Sequence, residues 1–336
     1  MLEAELEDRG PSQPPPQPRQ LEVRRSRGDR IFRALAVAGG CSTLLIMGLI
    51  GFFLVYKAID PLREAGWHFL TTFEWIPDGI EGQQGPLFGV GAMLVGTLVS
   101  SAIAVCIAVP ISVGAALYLS TYAPRKLRGP LTTLIDLMAA IPSLIFGLWG
   151  LYYLQPRMNG MTHWMADYLG WIPIFKTTVP FYGNSLFVVG VVLSMMIIPI
   201  ITSVTRAVMD QVPPANCEAA LALGGTRWGT ARKVILPHSR SGIIGASMLG
   251  LGRALGETIA VALILSLSFD VSPHILQPGG GSIAGLIANT FGESSEFGRN
   301  ALIAAGLVLF VVTLLVNMLA RWVVNRSASM KGLDTA

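Results

Sequence analysis

Six long apolar runs constrain the fold of this chain more than any other feature of its sequence. Each is close to or above the roughly 20 residues that an α-helix needs to cross the bilayer's hydrocarbon core of about 30 Å. In lipid such runs must satisfy their own backbone hydrogen bonds, so they are predicted to be helices, and the alternation typical of barrel strands is absent. The runs cover residues 31–56, 90–119, 131–154, 184–209, 243–267 and 301–324.

The composition also indicates a membrane protein. Of its 336 residues, 52% are hydrophobic and only 13% are charged, which is about half the charged fraction of a typical soluble domain. The net charge of +4 is spread over short loops, so no nucleic-acid partner is expected. The cysteines and histidines show no metal-binding or disulfide spacing, and we expect no metal and no cofactor. The predicted class is an all-α polytopic membrane protein with six transmembrane helices in contact with membrane lipid.

Lysine and arginine predict the orientation of these helices. Eighteen of them lie in the N-terminal segment, the loop 120–130, the segment 206–240 and the C-terminal tail, whereas five lie in the other loops. Cytoplasmic loops carry an excess of these residues. Both termini and the segment 206–240 are therefore predicted to be cytoplasmic.

The apolar runs and the segments between them divide the chain into five predicted parts. Residues 1–30 contain a proline-rich tract and are predicted to be a disordered cytoplasmic tail. The other predicted parts are a first transmembrane helix at 31–56, an outer loop at 57–89, a core of five transmembrane helices at 90–325 and a cytoplasmic tail at 326–336.

Prolines and glycines inside the runs predict irregular or closely packed helices. Pro110, Pro142 and Pro199 each remove a backbone donor and are expected to kink their helices. Several glycines in the third and fifth runs are expected to allow close helix contact. Among them, Gly252-x-x-x-Gly256 has the spacing of a small-residue packing motif.

A short polar segment at 213–237 separates the fourth and fifth runs. Its proline pair is expected to end the fourth span, and Glu218 to lie in the first turn of a short helix, where negative charge suits the helix dipole. Gly224 is expected to stop that helix and Thr226 to cap the next one. Pro237 is expected to break the chain before the fifth span. A structured cytoplasmic insert of this kind indicates a protein partner.

Three features of this segment resemble the EAA signature of ABC importer permeases: Glu218-Ala219-Ala220, Gly224 six residues after Glu218, and Leu236-Pro237. The resemblance covers roughly residues 85–325. Within that family the chain is most similar to the C-type permease subunit of the phosphate importer, through Ile141-Pro142-Ser143 and the run from Leu251 to Thr258. This resemblance implies that the chain is a type I ABC importer permease in the bacterial cell membrane.

The resemblance also implies partners and a function. In this family the signature helix docks into a groove on ATP-binding cassette ATPase subunits. A second homologous permease subunit and an extracytoplasmic phosphate-binding protein complete the system, which moves inorganic phosphate into the cell. The chain has no Gly-x-x-x-x-Gly-Lys-Ser/Thr loop for nucleotide phosphates. It is therefore not expected to be an enzyme by itself or to hold catalytic residues, and ATP hydrolysis is expected on the separate subunit.

Three charged residues inside the runs are candidates for the substrate pathway: Arg253, Glu257 and Asp136. A charge at the membrane centre costs at least about 2.5–3.5 kcal/mol on insertion scales, so Arg253 is expected to face protein or water and to have a partner. Glu257 follows four residues later and is expected on the same helix face. A guanidinium presents planar donors that match an oxyanion, and the resemblance implicates Arg253 and Glu257 in phosphate passage. The structural alternative is that these two residues only neutralise each other.

Other functions remain open at this stage. The transported anion could be sulfate or molybdate instead of phosphate. An ion-coupled secondary anion carrier would use the same two charges without ATP, but the cytoplasmic signature argues against it. A membrane scaffold without transport activity would not need a buried arginine.

Overall fold

The computed structural model describes residues 27–79, 86–177 and 183–329, without the side chains of 323–329. The described chain is almost entirely helical, which confirms the all-α fold class. It divides into two compact units, one ending at Gly51 and the other beginning at Phe52.

The helices and strands occur in the following order. The first part contains α1 (Arg27–Ala65), α2 (His68–Thr71), the short antiparallel pair β1 (Trp75–Ile76) and β2 (Leu87–Phe88), and α3 (Gly91–Leu117). Next come α4 (Arg125–Ala139), α5 (Ser143–Trp149), α6 (Gln155–Leu169), α7 (Leu186–Met209) and α8 (Pro214–Ala222). The last are α9 (Arg227–Thr230), α10 (Leu236–Leu255), α11 (Ile259–Ile264), α12 (Ile283–Thr290) and α13 (Glu296–Ser329). Single π-helical turns follow α3, α5 and α9.

Four described helices are long and apolar enough to cross a membrane: Arg27–Ala65, Gly91–Tyr122, Leu186–Met209 and Glu296–Trp322. They coincide with four of the six predicted spans. The other two predicted spans, the third and the fifth, are not continuous helices. The number of transmembrane helices, the orientation and the predicted division into parts remain predictions.

The third predicted span breaks at Pro142. The helix that begins at Arg125 ends at Ala139, and a second helical stretch, Ser143–Leu169, leaves at 88° to the first. Pro142 has no N–H to donate to the preceding turn, and its ring disfavours the helical conformation of the residue before it. The two stretches together are apolar enough for one bent span. Pro110 and Pro199 remain inside α3 and α7, and their kinks stay predictions.

The fifth predicted span, 243–267, is also divided. α10 begins earlier than predicted, at Leu236, and ends at Leu255, and the six-residue α11 follows after a three-residue interruption. Glycine at position 256 is a poor helix former. The candidate residue Glu257 therefore lies in the interruption and not within a helix.

α7 lies at the centre of the core. It packs against α3 and α10, and its buried side chains form one hydrophobic cluster with residues of both neighbours. α10 approaches closely because it presents small residues to α7: a Cβ added at Gly250 would lie 2.6 Å from Ile201 Cδ1. A different face of α10, together with Ile200 of α7, lines a cavity.

The predicted close contacts of the glycines are confirmed only in part. Gly147, Gly150 and Gly250 leave no room for a side chain, and a Cβ at Gly147 would lie 2.9 Å from Ala260 Cα. The prediction for Gly252-x-x-x-Gly256 is wrong. A Cβ at Gly252 would meet nothing within 4 Å, because this residue faces open space and Gly256 lies beyond the end of the helix.

Candidate functional site

The segment between α7 and α10 forms the short helix that the sequence predicts. Pro214 is the first residue of α8, a position that proline favours because its missing N–H would have no partner there. Glu218 is the fifth helical residue, so its predicted place in the first turn is wrong by one position. Glu218 and Ala219 are exposed, Ala220 is half-buried, and Leu223 at the end of the helix is 89% exposed.

Gly224 ends this helix as predicted. Its φ is +83°, in the left-handed region that glycine adopts without steric cost. The Gly224 N–H donates to the Leu221 carbonyl at 2.9 Å, and the Gly225 N–H donates to the Ala220 carbonyl at 3.0 Å. This pair of bonds is the Schellman arrangement, which satisfies the last carbonyls of a helix.

The helix after Gly224 begins at the predicted position, but helical backbone does not end at Pro237. The Thr226 Oγ1 accepts a hydrogen bond of 3.0 Å from the Gly229 N–H, as an N-cap does. Helical backbone then continues from Arg227 through a π-helical turn at Ala231–Ile235 into α10. The expected break at Leu236-Pro237 is therefore wrong. The π-turn ends immediately before this pair, and a rearranged turn is one way in which a helix accommodates a proline.

Buried residues anchor the segment at both ends. Val212, before α8, and Ala231 and Ile235, after α9, share a hydrophobic cluster with Leu117 and Met209 at the ends of α3 and α7. Between these anchors no residue of α8 is buried. A rigidly attached, exposed helix of this kind can transmit force from a partner to α7 and α10.

An ion-pair group lies beside the first anchor. Asp210 caps the end of α7, and its carboxylate is 2.5 Å from the Arg128 guanidinium and 3.3 Å from that of Arg206. These side chains are partly exposed, and such pairs are worth only about 0–1 kcal/mol. Their contribution is to fix α4 beside the end of α7.

A cavity of about 820 Å³ lies beside α10, on a face of the helix that does not include Gly250. α10 contributes a stripe at helical spacing, opposite one residue of α7 and one turn of α13. From Ser241 to Arg253 this stripe is about 18 Å long, at 1.5 Å per residue. The lining residues are Ile200, Ser241, Ile244, Gly245, Met248, Leu249, Gly252, Arg253, Asn317, Ala320 and Arg321.

Arg253 lines this cavity from the last turn of α10. Its side chain is exposed, and it makes no ion pair or hydrogen bond with any residue that the structure describes. The expected partner is therefore missing. No acidic residue is among the described residues that line the cavity, whereas two arginines, Arg253 and Arg321, are.

Glu257 is separated from Arg253 by the end of α10. Its carboxylate is buried, with the residue only 8% exposed, and Oε1 accepts a hydrogen bond of 3.3 Å from the Ala260 N–H at the start of α11. The prediction that both residues lie on one helix face is wrong because the helix stops between them. Mutual neutralisation is also not seen, since no ion pair joins these two described residues.

Asp136 forms no ion pair or hydrogen bond with Arg253 or Glu257 among the described residues. Its Oδ1 accepts a hydrogen bond of 2.8 Å from the Ser203 hydroxyl of α7, and Asp136 is absent from the described cavity lining. Ser203 lies one turn from Ile200, which does line the cavity. Asp136 is thus near one wall of the cavity and outside the cavity itself.

Sequence reasoning identifies Arg253 but none of the other residues that line the cavity. Arg321 contributes only to the predicted orientation, and Gly245 and Gly252 are predicted only as packing residues. One available signal was the polar pair Asn317 and Arg321, one turn apart in an otherwise apolar run. Nothing in the sequence marks which glycines face open space.

Comparison with known proteins identifies the family. Residues 108–329, more than half of the chain, match the family described as binding-protein-dependent transport system inner membrane component. The phosphate transport system permease protein PstC 2 of Mycobacterium tuberculosis is 43% identical over 298 residues, which cover 88% of this chain and 91% of the relative. The corresponding PstC protein of Xylella fastidiosa is 40% identical over 314 residues, covering 93% and 95%. That of Haemophilus influenzae is 38% identical over 308 residues, covering 90% and 95%.

A solved structure has the same fold. A bacterial ABC transporter involved in the import of the acidic polysaccharide alginate matches with a TM-score of 0.53 and 19% identity, over 87% of this chain and 98% of that chain. At this identity the likeness concerns the fold alone, and it confirms the predicted permease architecture. This chain therefore belongs to the family of binding-protein-dependent transport system inner membrane components, as a multi-pass protein of the bacterial inner membrane.

Proposed function

We propose that this chain is the permease subunit of an ABC importer that moves inorganic phosphate into the cell, with ATP hydrolysed on a separate subunit. The names of its relatives, at 38–43% identity over most of the chain, support phosphate as the substrate. The observation that carries the chemistry is Arg253, which is unpaired among the described residues and lines a cavity beside α10.

An unpaired guanidinium suits the passage of phosphate. Phosphate sheds part of its water as it crosses the membrane, and the planar donors of Arg253 replace some of those hydrogen bonds in bidentate form. Hydrogen bonds to charged groups are worth about 1.5–3 kcal/mol each. The cavity of about 820 Å³ is within the range of roughly 300–1,000 Å³ that ligand pockets occupy, so the anion passes with some of its water.

The movement that ATP hydrolysis causes in the ATPase subunit reaches this chain through α8. The exposed Glu218-Ala219-Ala220 helix docks on an ATP-binding cassette ATPase subunit, and the buried anchors carry its movement to α7 and α10. α10 carries Arg253, so a movement at α8 changes the access of that residue to either side of the membrane. A second homologous permease subunit completes the path, and an extracytoplasmic phosphate-binding protein delivers the anion.

Phosphate uptake by Arg253 variants tests this function. Radiolabelled phosphate is offered to bacterial cells without other phosphate carriers, at equal membrane abundance of each variant. Arg253→Gln removes the charge and is expected to abolish uptake, whereas Arg253→Lys keeps the charge without the bidentate fork and is expected to retain part of it. The matched control is Arg240→Gln, which removes an exposed arginine of the same helix that is not part of the cavity.

Two further measurements distinguish the proposed phosphate importer from a transporter of another anion and from an ion-coupled carrier. Uptake of labelled sulfate in place of phosphate would reassign the substrate. Uptake that resists vanadate, an inhibitor of ABC ATPases, would favour an ion-coupled carrier. Near-normal phosphate uptake by Arg253→Gln would reduce this residue to a structural one and contradict the proposal.

A further inference from the structure

We propose that Arg321 is a second anion-binding residue of this cavity, so that phosphate passes two guanidinium groups on different helices as it moves along the cavity. The inference rests on the proposed function, and it assigns a residue on α13 that the anion meets in addition to Arg253.

The orientation of α13 supports this assignment. Asn317, Ala320 and Arg321 occupy one turn and one face of the helix, and all three line the cavity. The neighbouring positions Leu315, Met318 and Leu319 are 50–62% exposed, as apolar side chains facing lipid are. The small Ala320 between the two polar residues leaves space for a ligand.

Arg321, like Arg253, has no partner among the described residues. It makes no ion pair or hydrogen bond with any residue that the structure describes, and the described lining of the cavity contains no carboxylate. Two positive charges lining one cavity raise its potential and attract an anion into it. A tetrahedral oxyanion suits each of the two positions, because a guanidinium can bind two of its oxygen atoms.

The other lining residues suit a path more than a closed binding pocket. Gly245 and Gly252 lie on the cavity stripe of α10, and a Cβ added at either position would meet nothing within 4 Å. The open space therefore continues along α10 up to Arg253. Ser241 and Asn317 supply additional polar groups to an anion or to its remaining water.

An electrostatic measurement tests the role of Arg321 independently of transport. In a background with Cys41, Cys106 and Cys217 changed to alanine, Gly245→Cys places one thiol in the cavity without a clash. The thiol is allowed to react, in membranes containing the assembled importer, with an anionic and with a cationic thiosulfonate reagent. The ratio of the two rates reports the local potential.

Arg321→Gln is expected to lower the ratio of anionic to cationic reaction rates by about tenfold, the lower end of the effect of charged clefts. It is also expected to lower phosphate uptake at least about tenfold, through the loss of charged hydrogen bonds. Arg321→Lys should recover most of the ratio and part of the uptake. Arg240→Gln, which removes an arginine outside the cavity, should change neither quantity.

A second variant keeps the test decisive if Arg321→Gln does not accumulate in the membrane. Asn317→Asp retains both arginines and places a nearly isosteric carboxylate one helical turn from Arg321, so it should lower the same ratio. An unchanged ratio and uptake within twofold of the parent in Arg321→Gln, or in Asn317→Asp where Arg321→Gln does not accumulate, would overturn the assignment of Arg321. If Arg253→Gln still abolishes uptake in that case, the proposed function stands. Near-normal uptake by Arg253→Gln would instead defeat the proposed function.

Discussion

Arg253 and Glu257 are four residues apart, but the end of α10 lies between them. Arg253 lines the cavity from the last helical turn, whereas the Glu257 carboxylate accepts a hydrogen bond of 3.3 Å from the Ala260 N–H at the start of α11. The two charges therefore have separate surroundings. The glutamate stabilises the interruption of the helix, and the arginine is left available for an anion.

The capping role of Glu257 predicts different results for two substitutions. Glu257→Gln keeps an oxygen acceptor for the Ala260 N–H, so membrane abundance and thermal stability should match the parent protein. Glu257→Ala removes the acceptor and should cost about 0.5–2 kcal/mol, as other lost caps do. Thermal unfolding of the purified protein in detergent measures both.

The same glutamine variant tests the charge of Glu257. Glu257 does not line the cavity, but it lies four residues from Arg253, so removing its negative charge should lower the repulsion of an anion held there, and phosphate should be held more tightly and released more slowly. We expect a lower half-saturating phosphate concentration together with a lower maximal rate of uptake. If uptake by Glu257→Gln is kinetically identical to that of the parent, Glu257 is a cap and nothing more.

Substitution by alanine should affect the stability of the protein differently at two glycines of α10, Gly250 and Gly245. A Cβ at Gly250 would lie 2.6 Å from Ile201 Cδ1, whereas a Cβ at Gly245 would meet nothing within 4 Å. Gly250→Ala should destabilise the protein by about 1–3 kcal/mol through overpacking. Gly245→Ala should be neutral or stabilising by up to about 1 kcal/mol, because alanine favours helix. Equal melting temperatures for the two variants would contradict the described packing of α10 on α7.

Local chemistry explains why the segment at 213–237 was largely predictable. Helix stops and caps depend on residues a few positions apart, so Gly224 and Thr226 could be assigned from their own backbone preferences, whereas the proline pair was predicted only to end the fourth span. The helix break predicted at Pro237 is wrong because the effect of a proline depends on the geometry of the turn before it. A π-turn cannot be recognised from residue types alone.

The cavity could not be predicted because it depends on helix packing. Hydropathy gives one continuous fifth run, so it conceals the helix end between Arg253 and Glu257. The choice between packing and open space at Gly245 and Gly250 depends on which face of α10 meets α7. Arg321 has the same sequence signature as any cytoplasmic arginine at the end of a span, and only the position of α13 relative to α10 distinguishes it.

Gly224 should be essential for coupling to the ATPase. At φ +83° an ordinary side chain costs roughly 1–2 kcal/mol, and aspartate would also add a charge to the docking surface. Gly224→Asp should insert normally but lose phosphate uptake, whereas Gly224→Asn tolerates the left-handed conformation without the charge and should retain much more. Gly129→Asp is the control, because Gly129 has open space and no such φ.

Co-purification of the ATPase subunit with these variants separates coupling from folding. The docking role of α8 would be wrong if Gly224→Asp kept both full uptake and ATPase association. Loss of uptake with ATPase association intact would instead place the defect in the transmission of movement from α8.

The orientation of the chain is tested at two highly exposed positions. Leu223, at the end of α8, is 89% exposed, and Trp171, after α6, is 79% exposed, so a cysteine at either position is accessible to reagents without disturbing the core. The positive-inside pattern predicts that Leu223 is cytoplasmic and Trp171 is outside. In the background without native cysteines, a membrane-impermeant maleimide should label Trp171→Cys in intact cells and Leu223→Cys only after permeabilisation. Labelling of Leu223→Cys in intact cells would place α8 on the outer side, where no cytoplasmic ATPase can reach Glu218, and the proposed coupling would then fail.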